Sequence, residues 1–204
     1  MKNLPHKTVE RLSRYRRLLQ ELEKEGIHYI YSHEIAKMLH ITPVQVRRDL
    51  MIIGYSGTLK KGYDIRELID LITKIIDTDE GFKVAVIGLG NLGRAMIGYI
   101  TGKQTKMSIV AAFDTNPDKV NKMYAGIPCY HIDKLGEIIK SDKISIAIIT
   151  VPSEETKKVA EKLILSGIKG ILNYTSTPIN VTPDIYLEEY DMISSLEKVA
   201  YFVK

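Results

Sequence analysis

Gly88, Gly90 and Gly93 follow directly on the apolar run "KVAVI" and open "NLGRAMIGYI", which has the look of a helix. Three glycines at that spacing, between a strand and a helix, suit a pocket for the pyrophosphate of a dinucleotide. Gly88 permits a tight turn, Gly90 lets the backbone approach the phosphates, and Gly93 allows close packing of helix on strand. The helix N-terminus behind them supplies amides and the positive end of a dipole. Asp114 closes the next apolar run, "SIVAAFD", 21 residues beyond Gly93. An acid there accepts the adenosine ribose hydroxyls and repels a 2′-phosphate, which favours NAD or NADH over the NADP pair.

A second chemistry is written in charge. Through Tyr63 the chain carries twelve Lys or Arg against six Asp or Glu, and beyond it 17 against 19, which together make the net +4. A basic third on a near-neutral remainder suggests a polyanion partner. Gln45, Arg47 and Arg48 stand near the start of a short helix, where side chains of a recognition helix reach base edges. Lys60 and Lys61, with Arg11, Arg14, Arg16 and Arg17, are candidates for phosphate contact.

These groups need elements to position them. In "VERLSRYRRLLQELEKEG" the residues Val9, Leu12, Tyr15, Leu18, Leu19 and Leu22 recur at three and four, and Gly26 stands where a C-terminal cap would. Two short helices follow. Ser32 is the candidate cap of the first, and Thr42 of the second, with Pro43 at its first position. The break "HIT" makes them a helix-turn-helix, and "GYSGTLKKGYD" reads as a glycine-punctuated wing before a further amphipathic helix, "IRELIDLITKIID". From Phe82 the pattern becomes strand and helix in alternation, with "KVAVIG", "SIVAAFD", "SIAIITV" and "GILNYT" as short strands rich in Val and Ile. The expected fold is therefore α/β: a winged helix-turn-helix domain over 1–80, a Rossmann doubly wound parallel sheet over 81–190, and a last helix over 191–204. That helix, in "MISSLEKVAYFV", lines up Ile193, Leu196, Val199, Ala200 and Val203.

Several function classes recede. The five histidines show no pairing with cysteines or acids at ligand spacing, so no metal site is expected. Cys129 is the single cysteine and reads as packing rather than chemistry. No apolar stretch reaches the length of a membrane span and no signal-peptide core is visible, so the expected address is the cytoplasm. A dehydrogenase needs a substrate domain and an acid or base at the nicotinamide, and the residues left after the nucleotide fold make little more than one helix. The cofactor is thus expected to be a regulatory ligand, with no catalytic residue.

With these motifs in hand, the sequence resembles the Rex family of bacterial redox-sensing transcriptional repressors. The resemblance runs from "LSRYRRLLQELEKEG" through "ITPVQVRRDL", "GYDIRELI", "VIGLGNLGRA", "IVAAFD" and "VPSEETKKVAEKLILSGIKGILN" to "LEKVAYF". It implies a homodimer whose C-terminal helices insert into the partner subunit. It also implies a palindromic operator, bound by the free or NAD+-bound protein and released when NADH binds. By motif position it adds Asn91, Leu92, Val151, Pro152 and Asn173 to the cofactor site, and makes Arg17, Tyr99 and Asp191 a switch with alternative contacts in the two redox states. Three stretches depart from the family's pattern: "GTLKKGYD" replaces the usual "GKRGVGYD" wing, "DLMII" replaces "DLSYF" after the recognition arginines, and "NYTSTPINV" replaces "NFAPVRLNV" beside the nicotinamide end. A small NAD-dependent oxidoreductase, a CoA-binding module, and a family paralogue with weakened DNA binding are the competing readings.

Overall fold

The computed structural model describes residues 4–58, 61–102 and 106–203. The chain divides into two units, Met1–Asp79 and Glu80–Lys204, each built around its own apolar core.

In the first unit α1 (His6–Lys24), α2 (Ser32–Leu39), α3 (Pro43–Ile52) and α4 (Ile65–Ile76) carry the helical periodicity, and β1 (Tyr29–Ile30) pairs antiparallel with β2 (Tyr63–Asp64). Leu12, Tyr15 and Leu19 of α1 are fully buried with Ile35, Val46, Leu50, Leu68 and Ile72, while Val9 stays outside. Gly26 ends α1 with φ +81°, which lets the Ile27 amide bond back to the Leu22 carbonyl at 3.0 Å. Thr42 caps α3 by accepting from the Gln45 amide at 3.2 Å, with Pro43 in the first turn. Ser32 does not cap α2 but is its first residue. The preceding Tyr31 amide is satisfied by the Glu34 carboxylate at 2.8 Å, a cap reaching back from inside the helix. Among the described residues of the wing, Thr58 bridges Gly62 in antiparallel fashion.

The second unit is a seven-stranded sheet in the order β5-β6-β4-β3-β7-β8-β9. Its strands are β3 (Phe82–Ile87), β4 (Met107–Asp114), β5 (Met123–Tyr124), β6 (Ile127–His131), β7 (Ile146–Ile149), β8 (Gly170–Asn173) and β9 (Tyr186–Glu189). All neighbours are parallel except β5 and β6. Alternate residues of the same strand serve opposite faces: Ala85 and Ile87 pack with Leu135, Val159 and Leu163, while Val84 and Val86 pack with Leu89 and Ile97. The covering helices are α5 (Asn91–Ile100), α6 (Leu135–Ser141) and α7 (Thr156–Leu165). Helix α8 (Met192–Phe202) buries none of its residues. The sequence reading omitted β5, β6 and β9. "IPCYH" breaks its apolar run with proline and histidine, and "YLEE" is acidic and mostly exposed, so neither shows the dense Val/Ile signal of a central strand.

Candidate functional site

Strand order reverses at β3: the chain builds outward through β4 and β6, then returns to place β7 on the other side of β3. In an open parallel sheet the crevice at the carboxyl ends of two such strands is where ligands bind. Here those ends are Gly88–Gly90 and Thr150–Pro152. Gly88 has φ +96°, and its amide donates to the Phe113 carbonyl at 2.7 Å. Thr150 Oγ1 donates to the Gly88 carbonyl at 2.8 Å, joining the two loops. No side chain caps α5 after Gly90, which leaves its first amides for an anion. A Cβ on Gly93 would sit 2.0 Å from the Gly88 carbonyl oxygen, whereas one on Gly90 would meet nothing within 4 Å. The first is closed by packing; the second opens onto the groove.

The groove encloses about 830 Å³ and is lined by Gly88, Gly90, Asn91, Leu92, Asp114, Val151 and Pro152, all read as cofactor residues in the sequence. A volume of that order suits a drug-sized or cofactor-sized ligand. Asp114 is bound to the glycine loop itself: Oδ2 accepts the Leu89 amide at 2.8 Å and Lys119 Nζ at 2.9 Å, and Oδ1 accepts the Asn116 amide at 2.8 Å. Burial alone would raise the Asp114 carboxyl, but these donors outweigh it and hold the group below its ordinary value. The groove also contains residues the sequence reading missed. Lys119 lies one turn beyond the strand end, His131 Nδ1 stands 3.1 Å from Asp133, and Lys162 Nζ stands 3.3 Å from the same carboxylate. Lys158 joins them from α7. Their only sequence signal was position just after a strand or along one face of a helix.

Asn173 is a correction. It is fully buried, donates to Thr177 O and Glu189 Oε1, and accepts both the amide and the hydroxyl of Thr175. Its amide braces the loop after β8 rather than facing the groove, because every polar atom it has is already matched. Cys129 is buried on β6, and burial, followed by the Asp114 charge, pushes its thiol up to about 11. At neutral pH it is a protonated thiol and a poor nucleophile.

In the first unit α3 exposes Val44, Arg47, Arg48 and Met51 along one face. Arg47 is steadied by Ser32 Oγ at 3.2 Å. Beneath that face lies Asp49, fully buried, with Arg11 Nε at 2.6 Å, Arg11 Nη2 at 2.8 Å, the Tyr15 hydroxyl at 2.7 Å and Gln45 Nε2 at 2.9 Å. Burial pushes the Asp49 carboxyl up, and the Arg11, Tyr15 and Gln45 bonds more than reverse it. Burial and then the bond to Asp49 raise the Tyr15 phenol well above its ordinary value. Two arginines read as phosphate contacts are therefore corrected: Arg11 is spent on Asp49, and Arg16 is buried and paired with Asp77 at 2.8 Å. Buried charges are paired because desolvation would otherwise cost several kcal/mol. Arg14 donates to the Leu39 carbonyl at 3.2 Å, and Lys61 is exposed on the wing, 5.3 Å from the Tyr29 ring centre. Lys60 lies outside the described residues.

Arg17 is exposed on α1 and Tyr99 is 69% exposed near the end of α5. Asp191 caps α8, accepting from the Ile193 and Ser194 amides. The hydrogen bonds from Ser194 hold its carboxyl below the ordinary value. Along α8, Leu196, Val199, Tyr201 and Phe202 are all more than half exposed.

Comparison with known proteins bears on both units. Residues 3–50 match the family model "Putative DNA-binding protein N-terminus", and residues 79–177 match the model described as "CoA binding domain". The redox-sensing transcriptional repressor Rex of Anoxybacillus flavithermus is 36% identical over 201 residues, covering 98% of this chain and 94% of that one. That of Syntrophobacter fumaroxidans is 37% identical over 199 residues, covering 97% and 95%. A crystal structure of the repressor RSP in complex with β-NAD+ and operator DNA superimposes with a TM-score of 0.92 at 30% identity, covering 100% of this chain and 94% of that one. RSP in complex with β-NADH gives 0.86 at 29% identity, covering 100% and 95%. With two such relatives matched end to end, and a helix-turn-helix unit preceding a dinucleotide-type sheet, the chain belongs to the Rex family of redox-sensing transcriptional repressors.

Proposed function

We propose that this chain is a homodimeric repressor of the cytoplasm that binds palindromic operator DNA through α3 and the wing and lets go of it when NADH fills the groove of the second unit. One observation carries the cofactor assignment. The carboxylate of Asp114 is tied to the Leu89 amide inside the glycine loop, so the phosphate cradle and the ribose acceptor form one connected piece. NAD+ and NADH compete for that piece, and neither is turned over. Arg47 and Arg48, exposed on α3, serve the base edges, while Arg14, Lys60 and Lys61 serve phosphates. Arg17, Tyr99 and Asp191 pass the redox state between the units. A second full-length match, to a relative captured with operator DNA and β-NAD+, supports the same pairing of ligands.

The match to a CoA-binding model favours a second reading of the groove, but a 3′-phosphorylated ribose would meet the Asp114 charge. Retention of genomic DNA fragments on the protein, repeated with NAD+, NADH and CoA, tests the proposal. Enrichment of palindromic fragments with NAD+ and their loss with NADH is expected. Retention unaffected by either dinucleotide would overturn it.

A further inference from the structure

Gln45 stands one turn before Asp49 on α3, between the exposed arginine face and the buried carboxylate, and its amide is already committed. Asp49 receives Arg11 twice, Tyr15 once and Gln45 Nε2 at 2.9 Å, with Thr8 Oγ1 at 3.5 Å. The guanidinium and the phenol keep this buried group ionised, and an ionised carboxylate only accepts. The group of Gln45 that faces it is therefore the amide nitrogen, and the side chain cannot flip without setting two acceptors against each other.

A carboxamide has two N–H bonds. One is spent on Asp49. What remains is a single edge made of Oε1 and the second N–H, an acceptor beside a donor. In the major groove adenine offers the complement, the N6 amino donor beside the N7 acceptor, whereas guanine offers two acceptors, O6 and N7. From this we infer that Asp49 is a positioning residue that presets Gln45 to read adenine, so that base preference at one position of each half-site is set by a carboxylate that never touches DNA. The inference rests on α3 being the helix that enters the major groove.

Selection of bound duplexes from a fully randomised pool, in NAD+, tests it with the intact chain. The parent is expected to enrich adenine at one position per half-site, and replacing that adenine by purine, which lacks the 6-amino group, to weaken binding roughly tenfold. Gln45→Met keeps the length of the side chain and loses both polar atoms. It is expected to lose the preference at that position alone and to bind the purine and adenine duplexes equally. Asp49→Asn supplies the readout that a packing role would not move. With Arg11 on its oxygen, the new carboxamide would present an N–H to Gln45, which must turn its own two N–H bonds outward, so preference should move from adenine toward guanine. If that variant fails to show the parental melting transition, the Gln45→Met and purine arms decide the matter. Full retention of base preference by Gln45→Met overturns the inference. So does a Gln45-dependent position that selects guanine in the parent. A parent that enriches no sequence overturns it together with the assignment of α3.

Discussion

Lys119 Nζ and the Leu89 amide share one oxygen of Asp114, at 2.9 and 2.8 Å, so the proposed ribose acceptor of this groove is partly neutralised by the protein's own groups. The carboxylate retains an Oδ1 lone pair beyond the Asn116 amide for a hydroxyl. Asp114→Ala should weaken NADH by about 1–3 kcal/mol in calorimetric titration, the range for a lost charge-assisted bond. Lys119→Met should do something different. It strips the cation from Asp114, so NADPH is expected to bind about tenfold more weakly while NADH changes little. A parent protein that prefers NADPH would sink the ribose assignment.

Gly90 and Gly93 separate binding from folding. Gly93→Ala forces a methyl to 2.0 Å from the Gly88 carbonyl oxygen, backbone against backbone, and should destabilise the second unit by about 1–3 kcal/mol. Gly90→Ala meets nothing within 4 Å and should melt like the parent. Its methyl would nevertheless occupy the line of approach of a pyrophosphate, and NADH affinity is expected to fall by more than about tenfold. Thermal melts and dinucleotide titrations on both variants read the two effects independently.

Legibility in the sequence followed the type of signal. The glycine triplet, the Thr42-Pro43 cap and the buried stripe of α1 are short-range patterns, and each was readable because neighbouring residues alone dictate it, while Asp114 was readable from its fixed place at the end of the next apolar run. Arg11 and Arg16 were misread because a basic helix looks the same in sequence whether its arginines face water or a carboxylate 38 or 61 residues away. Asn173 failed for a related reason: the Thr175 and Glu189 groups that absorb its amide come from a loop and an edge strand with weak periodicity of their own. Lys119 and Asp133 become groove residues only once β4 and β6 lie side by side.

Asp49 gives the first unit an acid limit. Its folded-state pKa is depressed, so the stability it contributes is fully present above the unfolded carboxyl value and is lost as pH falls through the folded one. Urea unfolding followed from neutral pH downward should therefore show loss of the helical signal beginning below about pH 4. Tyr15→Phe deletes one donor to Asp49 and should cost about 1–3 kcal/mol at neutral pH, with the difference from the parent narrowing as Asp49 protonates. A constant difference down to the acid limit would show that the phenol acts through packing alone.

Leu196 and Phe202 are 66% and 77% exposed on α8. Large apolar side chains gathered along one helix call for a partner surface, and a second copy of the chain supplies it in the proposed dimer. Leu196→Asp combined with Phe202→Asp should shift sedimentation toward a monomer while leaving the melting of the first unit in place. A parent that sediments as a monomer at micromolar concentration would contradict the proposed assembly.

Asp191 has two duties in the proposed switch, and they can be separated. Its carboxylate caps α8 through the Ile193 and Ser194 amides, and its charge is the proposed partner of Arg17 in one redox state, with Tyr99 donating to the same carboxylate in the other. Asparagine caps a helix about as well as aspartate, whereas alanine does not. Asp191→Asn should therefore retain the start of α8 and the dimer but lose the Arg17 pairing, and Asp191→Ala should lose both. Tyr99→Phe removes a hydroxyl that is not part of the groove lining. All three variants should bind NADH nearly as the parent does. What should change is the ratio of operator affinity without and with saturating NADH, because the loss falls on the coupling between sites and not on either site alone. Fluorescence anisotropy of a labelled operator under both conditions measures that ratio. A full parental drop in Tyr99→Phe would remove the tyrosine from the switch, and a full drop in Asp191→Asn would leave Asp191 as a helix cap and nothing more.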